Sequence, residues 1–124
     1  MAAEQPRAVV EQYVSLMATG TPAQILALYA DDAVVEDPIG SDPRHGHAAI
    51  GELYEALAPM RRKTELHTAR VAGNHAAISF TLVAEAGGHR MTISAIDTME
   101  FDDNGKIARM RAYWGPEDMT NEAV

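Results

Sequence analysis

The chain contains no cysteine. That removes disulfide staples, thiol nucleophiles, thiolate metal sites and iron–sulfur clusters together. The fold must stand on packing alone, which suits a reducing cytoplasm, the expected location. Basic residues are also scarce, with 10 Lys and Arg against 18 Asp and Glu and a formal net charge of −8. Such a surface repels phosphate backbones and anionic headgroups, so neither nucleic acid nor a membrane is an expected partner. No apolar run approaches the roughly 18 residues that a membrane helix needs. Met1 to Arg7 lacks a basic segment followed by an apolar stretch, so no signal peptide is expected. The histidines lack a third ligand at regular spacing: His45 and His47 stand two apart, and no metal site is expected. What remains is an ordinary globular composition, 47% hydrophobic and 23% charged over 124 residues. That length suits one domain, 1–124, with enough core to hold a small pocket.

The first half reads as helices. Val9, Val10, Tyr13, Val14 and Met17 recur at helical spacing, and Gly20 ends the stripe. Thr21-Pro22-Ala23-Gln24 has the form of a capping box with proline at the first helical position. Ile25, Leu26, Leu28 and Tyr29 then predict a short second helix. Ile50, Leu53, Tyr54 and Leu57 predict a third over about 47–57. Between them Ala33 to Glu36 reads as extended, ending at Asp37-Pro38, where the proline biases Asp37 away from helical geometry.

The second half reads as strands. Gly73-Asn74, Gly87-Gly88 and Asn104-Gly105 punctuate it at hairpin intervals. The expected strands are about 63–72, 75–85, 90–101 and 106–114. Helices first and a strand meander afterwards argue an α+β fold, helices on one face of an antiparallel sheet. Pro116 to Val124 is expected to be a loose tail.

One residue breaks the pattern. In strand 90–101 the odd positions are Met91, Ile93, Ala95, Asp97, Met99 and Phe101, an apolar face with a carboxyl in its middle. An ionised carboxylate there is costly unless a cation or several donors meet it. The group either stays protonated and donates a hydrogen bond, or a bulge or an arginine such as Arg109 or Arg111 answers it. The next strand leans towards the first solution, because its apolar phase is Ala108, Met110, Ala112 and Trp114 and both arginines fall on the other face. Tyr13 in the first helical stripe and Asp37 in phase with Ala33 and Val35 are two more polar groups on apolar faces. A core tyrosine bonded to a carbonyl and an Asp-Pro turn are the plain readings of those two. Asp31 and Asp32 read as solvated. The run Arg61-Arg62-Lys63 reads as a solvated loop, and the seven methionines as core filler or a soft pocket lining.

The stretch Leu28-Tyr29-Ala30-Asp31-Asp32-Ala33-Val34-Val35-Glu36-Asp37-Pro38-Ile39-Gly40 closely resembles the bacterial Δ5-3-ketosteroid isomerases. The similarity continues through His45-Gly46, Ile50, Leu53-Tyr54, Ala95 to Phe101, Asn104 to Ile107 and Ala112-Tyr113-Trp114. It implies a cone-shaped NTF2-like (SnoaL-like) fold: three helices on a curved mixed, largely antiparallel sheet enclosing an apolar pocket. It implies a homodimer without a cofactor, acting on an apolar steroid. The family's general base falls on Asp37. Its oxyanion hole falls on Tyr13 and on Asp97, the latter as a protonated donor, a device documented in this family. Tyr54 and Tyr29 fall on supporting tyrosines, and Phe80, Met110 and Trp114 on pocket-wall positions, Trp114 near the base. The implied reaction moves a Δ5 double bond into conjugation, giving a Δ4-3-ketosteroid by proton transfer through a dienolate. The alternatives are a cyclase or dehydratase of the same superfamily on another apolar ketone or polyketide, or a non-catalytic small-molecule binding domain.

Overall fold

The computed structural model describes residues 4–124. Three helices and seven strands follow one another as α1 (Glu4–Thr19), α2 (Pro22–Leu26), β1 (Tyr29–Glu36), β2 (Arg44–His45), α3 (Gly46–Leu57), β3 (Arg61–Ala72), β4 (His75–Ala86), β5 (His89–Phe101), β6 (Ile107–Tyr113) and β7 (Met119–Ala123), with a 3₁₀ turn at Pro116–Asp118 before β7. The sheet order is β2-β1-β6-β5-β4-β3. Only β1 and β6 run parallel; the other pairs are antiparallel, so the sheet is mixed and largely antiparallel. Among the described residues no helix is long and apolar enough to cross a membrane.

The helices form where the periodicity places them. Val10, Tyr13, Val14 and Met17 are buried along one stripe of α1, which packs on β3 and β4. The capping box forms: Gln24 N–H donates to Thr21 Oγ1 at 3.2 Å and Thr21 N–H to Gln24 Oε1 at 2.9 Å. In α3, Ile50 and Tyr54 turn inwards and the helix lies against β1. The turns carry the glycines. Gly87 and Gly88, at φ +60° and +79°, join β4 to β5 with the left-handed pair that a two-residue hairpin favours.

Three expectations are corrected. Tyr29 does not extend the second helix. That helix stops at Leu26, Ile107 N–H donates to Leu28 O at 2.9 Å, and Tyr29 opens β1 opposite Ile107. The segment after Pro116 is not a loose tail: β7 pairs with β5 from His89↔Ala123 to Ile93↔Met119. β6 covers β5 only from Ile96 to Phe101, so the first half of that edge needs another strand. Arg62 lies in β3, not in a loop, and its guanidinium donates to Met17 O at 3.0 Å and Gly20 O at 2.9 Å, closing the C-terminal end of α1.

Candidate active site

The concave side of the sheet and the inner faces of α1 and α3 enclose a cavity of about 240 Å³. Tyr13, Asp37, Tyr54, Asp97, Phe80 and Trp114 all line it. Apart from those tyrosines, carboxyls and the indole, every side chain in the wall is apolar. The sequence-predicted polar residues, read from three different elements and one loop, therefore meet in one place.

Asp97 is 2% exposed in the central strand, with Ile78 opposite it on β4 and Ala112 opposite it on β6. Its Oδ1 has no hydrogen-bond partner among the described residues. Neither arginine answers it: Arg109 and Arg111 both reach Glu100, at 3.7 Å, on the other face. The strand pairs regularly through this position, so no bulge turns the carboxyl away. Burial, with the nearby Asp37 charge adding, pushes the Asp97 carboxyl well above the usual carboxylate range. That environment favours the neutral form of the carboxyl over the ionised one.

Asp37 leaves the end of β1 on the same cavity. Trp114 Nε1–H donates to its Oδ1 at 2.8 Å. The following loop is anchored by Ile39 N–H to Ala112 O at 2.8 Å. Burial raises this carboxyl too, while the Trp114 hydrogen bond and the Arg44 charge oppose the rise. Burial pushes both carboxyls up, but only Asp37 has a donor and a cation that oppose the rise.

Tyr13 comes from α1 and Tyr54 from α3. Their hydroxyls lie 3.1 Å apart, and Tyr54 lies 2.6 Å from Tyr29 on β1. Each hydroxyl has one proton. If Tyr29 donates to Tyr54 and Tyr54 to Tyr13, the Tyr13 proton is left facing the cavity. Burial raises all three phenols well above their usual value, so each is protonated at neutral pH.

Of the expected wall positions, Phe80 and Trp114 line the cavity. Met110 does not. It is fully buried between Val35 and Met99, two residues before Ala112 on the same face of β6, where the strand still lies in the core. Tyr29 sits behind Tyr54 rather than in the wall. The sequence reading did not name Met91, Ile93 or Met119 as lining. Met91 and Ile93 share the odd face of β5 with Asp97, so the alternation already carried that signal.

Residues 10–110 match a family described as a SnoaL-like domain. A curated Steroid Delta-isomerase from Nocardioides simplex is 47% identical over 113 residues, covering 91% of this chain and 92% of that protein. A solved structure of an epoxide hydrolase/cyclase-like enzyme, with a role in pyran ring formation in the polyether salinomycin, superposes with a TM-score of 0.85 at 25% identity, covering 94% of this chain and 95% of that one. A protein from Mycobacterium tuberculosis superposes at 0.88 with 23% identity, over 98% of this chain and 99% of that one, and shares the fold.

Proposed function

The chain belongs to the SnoaL-like domain family, and on that premise we propose that it is a steroid delta-isomerase, converting Δ5-3-ketosteroids to Δ4-3-ketosteroids. The observation that carries the reading is Asp97: a buried carboxyl, unpartnered at Oδ1, sharing an apolar cavity with Tyr13 and a second carboxyl better able to ionise. The similarity to a Steroid Delta-isomerase over nine tenths of the chain supports it.

The reaction requires a base that removes a proton from C4, next to the ketone, and returns it at C6. Asp37 fills that role as a carboxylate, poorly solvated and steadied by Trp114. Proton loss places negative charge on the former ketone oxygen of the dienolate. Tyr13 and neutral Asp97 direct two O–H donors to that oxygen in surroundings that exclude water. Neither donor has to lose a solvent shell when the charge appears. Tyr54 and Tyr29 deliver their hydrogen bonds towards Tyr13, which strengthens it as a donor. When the proton returns to C6, the double bond lies in conjugation with the ketone and Asp37 is a carboxylate again.

The proposal includes a homodimer. Ile96 and Tyr113, 51% and 46% exposed, are register partners on the outer face of β5 and β6, and they give a second copy an apolar surface to cover.

Mixing the protein with a Δ5-3-ketosteroid and following the ultraviolet absorbance of the conjugated enone tests the activity. Acceleration over buffer is the expected result. No acceleration overturns the reading in favour of another apolar ketone or polyketide.

A further inference from the structure

The cavity is longer than the chemistry needs. Asp97, Ala95, Ile93 and Met91 line it in succession along β5. At about 3.3 Å per residue the Cα positions of Asp97 and Met91 stand roughly 20 Å apart along the strand. A steroid held by its C3 oxygen at Asp97 and Tyr13 reaches C17 after about 10 Å, some eight carbon–carbon bonds of roughly 1.5 Å in a zigzag. The ring system therefore ends near the middle of the lined strand.

The walls change character along that length. At the Asp97 end Tyr13, Tyr54, Ala95 and Ala112 are buried. At the Met91 end Leu57, Met60, Met91, Ile93 and Met119 are only half-buried. Met119 is delivered there by β7, opposite Ile93. This outer collar contains no hydrogen-bonding side chain. A ketone or hydroxyl on C17 would meet no donor in it. Flexible, polarizable thioethers adapt to an irregular alkyl group better than branched side chains do.

We propose, resting on the isomerase reading, that this collar of Leu57, Met60, Met91, Ile93 and Met119 is a binding channel for a hydrocarbon side chain at C17, so that the preferred substrates are 3-ketosteroids of the sterol type rather than bare-ring diketones. The half-exposed methionines are covered when the alkyl chain enters, and the catalytic end is unchanged.

The test uses a series of Δ4-3-ketosteroids that differ only at C17, from hydrogen through short alkyl groups to a full branched sterol chain. Binding is read from the fluorescence of Trp114, the single tryptophan, which lies in the cavity wall. The expected result is affinity that rises about fourfold for each methylene that the collar buries. Isomerisation of the matching Δ5 compounds should show kcat/KM rising in the same order. Met91→Asn and Met119→Asn should flatten the rise, weakening long-chain ligands more than bare-ring ones. Affinity that is level or falling along the series, or variants that weaken all ligands equally, overturns the proposal. The two claims fail separately. A level series with normal isomerisation removes the channel and leaves the isomerase. A rising series without isomerisation of any steroid removes the isomerase and leaves the channel.

Discussion

At Asp97 burial, an apolar register and the absence of any facing cation act in one direction. A buried carboxyl without a partner does not stabilise the fold, so replacing it with an apolar group of similar size should not harm the core. Asp97→Leu is expected to lower kcat by about 10²–10³, the usual effect of losing one oxyanion donor, while the urea unfolding midpoint at neutral pH stays level or rises. A fall in that midpoint would indicate a structural bond at Asp97. Trp114 calls for a different measurement. Its N–H stabilises the ionised form of Asp37, so Trp114→Phe should raise the pKa of the base. The acid limb of the kcat/KM profile should then move to higher pH, and an unmoved limb would show that the indole acts only as a wall. Asp97 was legible as an anomaly, a carboxyl in the middle of an apolar face. Tyr13 and Asp37 also stood in apolar phase, but a core tyrosine and an Asp-Pro turn were the plainer readings of them, and only the resemblance raised both above that.

At the scale of elements, alternation and turn glycines were sufficient to place β3 to β6 within about two residues at each end. They failed where packing overrides local pattern. Met119 to Ala123 has no alternating apolar face, and β7 exists because β5 offers an edge that β6 leaves bare. Met110 has the correct phase but lies one level too deep, because phase identifies a face and not a position along it. Arg62 was hidden in a run of charges. Its stem is half-buried and its head serves the carbonyls at the end of α1. Arg62→Met should therefore cost about 1–2 kcal/mol in urea unfolding, through two lost charge-assisted hydrogen bonds. An unchanged midpoint would mean that water serves those carbonyls equally well.

At the scale of the whole molecule, the raised Asp97 carboxyl should mark the dependence of stability on pH. The unfolded chain releases the Asp97 proton above about pH 4, whereas burial holds that proton to higher pH in the folded chain. Between that point and the raised folded value the native state binds more protons. Stability therefore falls as pH rises, by up to about 1.4 kcal/mol per pH unit for this one group. Asp97→Leu deletes the contribution, and its unfolding free energy should decline less with pH than that of the native chain. Parallel curves would mean that Asp97 ionises in the folded protein. The proposed proton shuttle between two carbons would need only carboxyls and phenols in an apolar cavity, which a chain without cysteine can supply.

The central claim is that this cavity isomerises a steroid with Asp37 as the base. Its most direct test sets the protein beside Asp37→Asn on a Δ5-3-ketosteroid, with enone absorbance for turnover and calorimetry for steroid affinity. The account expects turnover to fall by at least about 10²–10⁴ in the variant, with affinity within a few-fold of the native value. Turnover that survives the substitution would contradict it.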